Sequence, residues 1–474
     1  MSISLAKSSI FPWKLLGWVP LFLGSLLLLS LSLWILSSLV VLSILIGFVS
    51  LWMMHRLVGV FNLRRLNIAS FFYLIYGVVI LVPGFFIFND EITSSRMRFL
   101  FGIESVLISV PVGLFLANWF FGFGKEEIAG YFQKEVQAEP RVPALTKIYL
   151  AVLGLAVLLV LINIWETPEV PLFYLLRNPG EAIAAAMLRE DAFKLLNSHL
   201  TYVYYVFRGS VFPFLMMVAL GRYRLQKETL WRRLFWIALL SGVGYAALTI
   251  EKSPVAAIFG LLFLFIYLLN GGRLGKTATI VAPLLFLSFP VIVILLAYHG
   301  TEGGTFGGLF QAIGDRLFYS PARIVYAYFE LFPRIFPFQH GASLLKMAHL
   351  LGWKSLDIPN AVGLYMTEGT GDLETITANS CFLGNLNADF GLPGVVLGGV
   401  LAGLLMQMVT IYFFRRPKTV VNVAGYAACM WSFGLLVTSP LPTVLLSGGV
   451  SFAILLAWCF GFRGYQDSLV AVPQ

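Results

Sequence analysis

The sequence contains few charged residues: Asp, Glu, Lys and Arg make up 12% of its 474 positions, against about 25% in soluble domains. Apolar residues make up 59%, and the mean hydropathy is +0.87. This composition excludes a soluble globular chain, which would have too little polar surface to face water. Repeated apolar runs of about 20 residues cross a bilayer as helices. The composition therefore predicts an all-α polytopic integral membrane protein.

Cysteine and histidine are scarce, with three and five residues respectively. The cysteine spacing matches neither a metal site nor a disulfide framework, and no histidine pair has zinc-like spacing with carboxylates. The chain also lacks a glycine-rich nucleotide loop, a nucleophile elbow and a redox motif. We therefore predict no metal and no cofactor.

About twelve apolar runs are long enough to be transmembrane helices. The run from residue 15 to residue 54 is too long for a signal peptide and is interpreted as two adjacent spans. The predicted spans are 15–33, 34–54, 67–88, 98–123, 146–165, 200–220, 234–250, 254–270, 278–298, 392–414, 419–438 and 441–461.

Basic residues set the predicted orientation. With the N-terminus inside, the inner segments hold 20 of the 32 basic residues but only 6 of the 23 acidic ones. The net charge of +9 is then a positive-inside signal, and nucleic-acid binding is not needed to explain it. Both termini are predicted inside. Residues 1–474 form a single transmembrane domain with two long outer loops, 166–199 and 299–391.

Arg208 lies inside the predicted span 200–220, in YVYYVFRGSVFPF. A charge within a membrane is costly and suggests function, although an arginine near the outer end of a helix can also extend to the interface. Lys252 lies at a short outer tip, where Ser253 and Pro254 resemble an N-cap and a first helical residue. That helix N-terminus favours an anion, but an ordinary polar hairpin is an equal alternative.

The outer stretch GDRLFYSPARIVYAYFE, residues 314–330, places two arginines beside Tyr319 and Tyr326. Its Ser-Pro pair predicts two helices, 307–318 and 321–332, with a bend between them; one kinked helix is the alternative. In either case Arg316 and Arg323 can converge on a phosphate beside the aromatic rings. The alternative is a pair of surface salt bridges to Asp315 or Glu330. The tyrosines beside the arginines are Tyr319 and Tyr326. Arg177, in the first loop, is a weaker candidate for binding phosphate.

The stretch TANSCFLGNLNADFGLPGVVLGGVLAGLLMQ, residues 377–407, resembles the end of the large outer loop in bacterial Wzy-type polymerases of oligosaccharide repeat units, or O-antigen polymerases. Those enzymes have about a dozen spans and one late outer loop. Asn385 stands where that family often has a glutamate, so the carboxylate role would move to Asp389, Asp315 or His340. The matching residues are Asn379, Phe382, Gly384, Phe390, Gly391 and Gly394.

The resemblance implies a metal-independent membrane glycosyltransferase in the bacterial inner membrane. Its substrates would be oligosaccharide units on undecaprenyl diphosphate, joined on the periplasmic face, with a chain-length regulator and a flippase as pathway partners. Arginines would hold the departing diphosphate, and a base would take the acceptor proton. An O-antigen ligase and a lipid-linked oligosaccharide flippase remain alternatives. The predicted catalytic residues are Arg316, Arg323, Asp389 and His340, and the predicted substrate-binding residues are Arg208, Lys252, Tyr319, Tyr326, Arg177, Asn379 and Asn385.

Overall fold

The structure is a computed structural model, and it describes a defined set of residues. These are residues 45–47, 49–50, 52, 54, 56, 59, 65–87, 93–137, 139, 143–181, 184–185, 187–189, 203–273, 275, 281, 284–285, 288, 291–293, 295–296, 307–308, 311, 314–341, 356–367 and 377–470.

The described elements are helical, and the one strand-like contact among them is an isolated bridge between Gln137 and Thr419. The α-helices are α1 Ile68–Tyr76, α2 Val82–Phe86, α3 Ser94–Phe121, α4 Lys125–Gln133, α5 Pro143–Glu166, α6 Pro171–Arg177, α7 Phe212–Gln226, α8 Thr229–Leu248, α9 Lys252–Leu269, α10 Ser320–Leu331, α11 Ile358–Met366, α12 Phe382–Phe414, α13 Val420–Gly434, α14 Leu441–Leu445 and α15 Val450–Val470.

Seven described helical segments are long and apolar enough to cross a membrane, which supports the predicted membrane protein. Helices α8 and α9 occupy two further predicted spans but do not meet those limits of length and hydropathy. The predicted spans 15–33, 34–54 and 278–298 lie wholly or largely outside the described residues, so the count of about twelve stays a prediction. The seven segments are Ile68–Phe85, Ser94–Phe121, Thr146–Glu166, Val203–Gln226, Phe382–Phe414, Val420–Val437 and Leu441–Gly461.

Helix α3 connects two chemically different ends of the bundle. Near its start, Arg98 donates from Nη1 to the carbonyl oxygen of Phe332 at 3.0 Å. At its other end, Arg415 donates from Nη2 to the carbonyl oxygen of Phe121 at 2.8 Å. We call the end around residues 125–137 and 415–418 the basic end. The positive-inside rule predicts that the basic end is cytoplasmic, and the other end is then the outer end.

Small residues allow α3 and α12 to pack backbone against backbone. A Cβ atom at Gly113 would overlap the carbonyl oxygen of Val400, and one at Gly403 would overlap that of Val110. At Gly399 the obstacle would be the hydroxyl of Ser109. Such close approach is typical of membrane helices, where van der Waals contact drives association. This contact holds α12 in a fixed position on α3.

Three of the π-helical turns in the described chain each end two residues before a proline. Proline has no N–H to donate to the carbonyl four residues earlier, and its ring clashes with that carbonyl. A wider turn relieves the clash and keeps the chain helical. The turns are Gly77–Leu81, Phe207–Val211 and Asp315–Tyr319, followed by Pro83, Pro213 and Pro321.

The third π turn corrects the prediction of two helices separated by a bend. Ser320 has helical angles, φ −58° and ψ −43°, and its N–H donates to the carbonyl oxygen of Asp315. The helix therefore continues from the π turn through α10, because the wider turn accommodates Pro321 inside it. The N-cap prediction at Ser253 is also wrong. Helix α9 begins at Lys252 with Glu251 as N-cap, and Pro254 fits in its first turn, where N–H groups need no intrahelical partner.

Gly391 interrupts α12. Its angles, φ 66° and ψ −160°, lie in a region that essentially only glycine adopts. Residues 382–390 form a buried half-helix, and residues 392–414 match the span predicted from the sequence. The two halves touch, because Gly398 lies against the side chain of Leu386. Backbone hydrogen bonds of 2.9 Å from Gln339 and His340 reach the end of the half-helix.

The basic end contains a buried lysine. Lys418 donates from Nζ to the carbonyl oxygen of Lys134 at 2.8 Å and lies 4.9 Å from the centre of the Tyr131 ring. Burial lowers the pKa of Lys418 to about 8, because removing water disfavours the ammonium form. Glu139 also links segments here, accepting from the Val421 N–H.

Replacing Gly391 with alanine should destabilise the protein by about 1–3 kcal/mol, because a side chain is strained at these angles. The added Cβ would also lie 3.0 Å from the Phe338 ring. Gly154→Ala is the matched control, since a Cβ there meets nothing within 4 Å. Thermal unfolding in detergent measures both variants. Equal midpoints would contradict the role assigned to Gly391.

Lys418 should make stability depend on alkaline pH. The unfolded chain, with an ordinary lysine pKa of about 10.4, binds more protons than the folded chain above pH about 8. The cost of burying Lys418 is therefore full below pH 8 and disappears as the pH approaches 10.4. Wild-type stability should rise relative to Lys418→Met between those values. Parallel stability curves for the two proteins would exclude this effect.

Candidate functional site

A cleft of about 400 Å³ opens at the outer end between α10 and α11. Arg98, which binds the carbonyl oxygens of Phe329 and Phe332, places the end of α10 against the outer end of α3. One wall comes from the π turn and α10, and the facing wall comes from α11 and the segment before α12. The lining residues are Asp315, Tyr319, Ser320, Arg323, Ile324, Gly363, Met366, Thr367, Thr377 and Ala378.

The π turn determines which side chains of the predicted arginine stretch face this cleft. In a regular α-helix, residues seven apart share a face, which would pair Arg316 with Arg323. A π turn adds one residue to the repeat, so residues eight apart become aligned. Asp315, Tyr319 and Arg323 accordingly line the cleft, whereas Arg316 is exposed and is not part of the lining.

The guanidinium of Arg323 is exposed. In the described part of the chain neither Arg323 nor Arg316 forms an ion pair with Asp315 or Glu330, so the salt-bridge alternative is not observed. Burial raises the pKa of Tyr365 on α11, and the neighbouring Glu330 carboxylate raises it further. Arg323 therefore faces the cleft with its donors available to an anion.

Tyr319 and Tyr326 have different surroundings. The Tyr319 side chain is 40% exposed in the cleft. The Tyr326 ring packs edge-on against Phe99 of α3, with ring centres 5.5 Å apart. Tyr319 thus offers an aromatic face to a ligand, and Tyr326 attaches α10 to the bundle.

Behind the cleft, Tyr328 and Ala378 pack in a buried cluster with the half-helix, and a few polar groups are buried there. The Tyr328 hydroxyl donates to the carbonyl oxygen of Ala378 at 2.9 Å. Asn379, next along the chain, is exposed beside the lining. Asn385 is only 4% exposed, and its Oδ1 finds no hydrogen-bond donor among the described residues. Asn379 is therefore accessible to a substrate at the cleft, whereas Asn385, on the half-helix, is buried.

Asp389 and His340 lie where α12 is interrupted. The Asp389 side chain is fully buried, and its Oδ1 accepts from the Gly341 N–H at 3.2 Å. His340 is exposed with φ 50°, and its N–H bonds the Asp389 carbonyl oxygen at 2.9 Å. Neither residue is part of the cleft lining. Their contacts hold the 339–341 turn on the half-helix, and their catalytic assignment stays a prediction.

Arg208 belongs to a different group of helices. It lies in the π turn before α7, is 8% exposed, and forms an ion pair with Glu251 at the start of α9. Its guanidinium also lies 5.0 Å from the centre of the Tyr205 ring. The hydroxyls of Tyr204 and Tyr245 are buried nearby without a hydrogen-bond partner in the described structure. Arg208 thus joins two outer helix ends.

Lys252 and Arg177 occupy helix ends. Lys252 is the first residue of α9, directly after Glu251. Arg177 is exposed in the last turn of α6, where a cation favours the helix dipole. The structure therefore brings together Arg323, Tyr319 and the neighbourhood of Asn379, and separately Arg208 and the Lys252 backbone.

The residues of the facing wall of the cleft are not predicted from the sequence. Thr367 and Thr377 flank the cleft, but neither stands in a recognisable motif, and their approach to α10 depends on long-range packing. Asp315 could be found from the sequence, since it is the acidic residue next to Arg316 in the stretch 314–330. Among the described residues, no group of three His, Cys, Asp or Glu side chains is placed to hold a metal ion.

No protein-family model, curated protein or solved structure matches the chain.

Breaking the Arg208–Glu251 pair should be costly. Glu251→Gln leaves a nearly buried guanidinium without its counter-charge, so we expect a loss of about 1–3 kcal/mol, reduced from the fully buried case because Glu251 is 22% exposed. The control is Glu127→Gln, whose partner Arg415 is 43% exposed; that change should cost at most about 1 kcal/mol. Thermal unfolding compares the two. A larger loss in the control would contradict the structural role of Arg208.

Proposed function

We propose that the protein is a membrane glycosyltransferase that joins oligosaccharide units carried on a lipid diphosphate. Undecaprenyl diphosphate is the carrier that the sequence resemblance implies, and the reaction would take place on the periplasmic face of the bacterial inner membrane. The products would be O-antigen, capsule or exopolysaccharide chains. The cleft between α10 and α11 is the proposed site.

The observation that carries the proposal is the exposed Arg323 beside Tyr319 in a cleft at the outer end. A guanidinium forks to two phosphate oxygens, and an exposed aromatic face suits the apolar face of a sugar ring. The cleft volume of about 400 Å³ lies in the range of small-ligand sites, about 300–1,000 Å³. The cleft can therefore take the diphosphate together with its nearest sugars.

The roles of the polar groups follow from where charge develops. When the bond to the anomeric carbon breaks, negative charge appears on the diphosphate, and Arg323 would bind that charge more tightly than the ground state. Arg208 and Lys252 are also proposed contacts of a diphosphate. For Arg208 this requires that its guanidinium leave Glu251, its present partner.

A transporter or flippase of the same lipid is the second candidate. The helix interrupted at Gly391 favours it, because transporters place substrate and ion sites at broken helices. Glu104, fully buried inside α3, is an acidic residue within a span that such a mechanism could use. A ligase shares the donor and would differ in its acceptor.

Replacing Arg323 with glutamine should lower the rate of polymer formation by about 100-fold or more, the scale of losing one transition-state donor. Purified protein in lipid, given a synthetic oligosaccharide on undecaprenyl diphosphate, would report products as a ladder of lengths, with and without EDTA. Arg334→Gln is a control at an exposed arginine outside the cleft lining.

The outcomes separate the candidates. A ladder from wild type that persists in EDTA supports a polymerase without a metal, and one transfer to a different acceptor supports a ligase. Movement of labelled lipid between leaflets without a new glycosidic bond supports the flippase and overturns the proposal. Equal activity of wild type and Arg323→Gln would remove Arg323 from the site.

A further inference from the structure

The cleft contains the carboxylate of Asp315, one of the three candidates for the carboxylate role, although the predicted catalytic set includes the other two. Of the acidic side chains in the described structure, Asp315 is the one that lines the cleft with Arg323. Asp389 is fully buried and engaged with Gly341, and His340 lies outside the lining. A general base must be within reach of the proton that it removes, and geometry favours Asp315 on this point.

We propose that Asp315 is the catalytic base that takes the proton of the acceptor hydroxyl in the cleft. This inference rests on the proposed glycosyl transfer and adds to it the residue that activates the acceptor. Asp315 is directly followed by Arg316. The conformation of a single helical turn therefore determines whether an acidic or a basic side chain faces the substrate.

The π turn Asp315–Tyr319 supplies that register. If the same sequence formed a regular α-helix here, position 316 would align with Arg323, and the cleft would hold two guanidinium groups and no acid. With it, a carboxylate, an aromatic ring and a guanidinium follow one another along one helix face. Eight residues at about 1.5 Å each separate Asp315 from Arg323 by about 12 Å along the helix. A sugar ring stacked on Tyr319 would lie between them.

The bond changes balance with these groups. The acceptor oxygen attacks the anomeric carbon of the donor sugar, and a new glycosidic C–O bond forms. The bond from that carbon to the diphosphate oxygen breaks, and its electron pair leaves with the diphosphate, which Arg323 binds. The proton of the acceptor hydroxyl passes to the Asp315 carboxylate. No oxidant, reductant or further reactant is needed.

The surroundings of Asp315 fit this role. It is exposed to the cleft, and in the described structure no arginine or lysine forms an ion pair with it. Its lone pairs are thus available to a hydroxyl donor. Thr367 and Thr377 on the facing wall add hydroxyl groups that can orient a sugar.

The test compares Asp315→Asn and Asp315→Glu with wild type in the lipid-reconstituted assay, with kcat, KM and the pH profile measured separately. Asp315→Asn should lower kcat by about 100-fold or more while KM changes little. Wild-type kcat should decline on the acidic side of its pH profile, and Asp315→Asn should lose that decline. Asp315→Glu should retain part of the rate.

Two further variants make the result specific. Added formate should restore part of the activity of Asp315→Ala, because a small carboxylate can occupy the vacated space, and a purely structural residue would not show this rescue. Asp357→Asn is the matched control, since Asp357 caps α11 through its side chain and asparagine also caps; it should keep the wild-type rate and pH profile.

The outcomes are distinguishable. If wild type makes polymer and Asp315→Asn keeps its kcat and acid limb, Asp315 is not the base and the proposed function stands. If Asp315→Asn loses only affinity, seen as a raised KM at unchanged kcat, the base assignment is also overturned. If wild type forms no glycosidic bond with any lipid-linked substrate, the proposed function fails and the role of Asp315 fails with it.

Discussion

The need to satisfy backbone hydrogen bonds away from water controls this structure. In a bilayer an unpaired carbonyl or N–H costs several kcal/mol, so a spanning segment remains helical wherever it can. Proline interferes with that pattern, and in the spans the chain responds at Pro83 and Pro213 with the same device, a π turn that ends two residues earlier. The same device occurs at Pro321, in the outer segment 314–331. The helix is preserved, and the side chains before and after the turn change their relative direction.

Two of these turns carry the residues of greatest chemical interest. The turn before Pro213 contains Arg208, and the turn before Pro321 contains Asp315 and Tyr319. A π turn holds one more residue than an α-helical turn. Its side chains therefore point in directions that a regular helix would not give them. The π turn that accommodates proline therefore also determines the electrostatics of the cleft. The close α3–α12 contact provides a rigid support behind the cleft.

Sequence reasoning anticipates the features that depend on local pattern. The helical membrane architecture follows from long apolar runs. Of the four residues that the arginine stretch predicts together, Tyr319 and Arg323 line one cleft and Arg316 and Tyr326 do not; their functional roles stay predictions. The Ser-Pro signal failed at Ser320 because a proline just after a π turn, within a continuous helix, gives the same Ser-Pro sequence as a helix start.

Features that depend on distant segments were not predictable in this way. The ion pair of Arg208 with Glu251 joins residues from separate helices, and no spacing rule connects them. The wall formed by Thr367 and Thr377 approaches α10 only after α11 has packed. Asn385 and Asp389 stand in the stretch that resembles a known family, yet both side chains are buried, which only the three-dimensional packing of the half-helix reveals.

The π turn at Asp315–Tyr319 also has a consequence for how such a chain can change in length. Geometrically the turn is an α-helix that holds one extra residue. A related chain with one residue fewer between positions 315 and 323 would form two regular α-helical turns, and the same acid and the same arginine would still share a face. Comparison of homologues by plain residue spacing would then misalign this pair, whereas comparison by helix face would recover it.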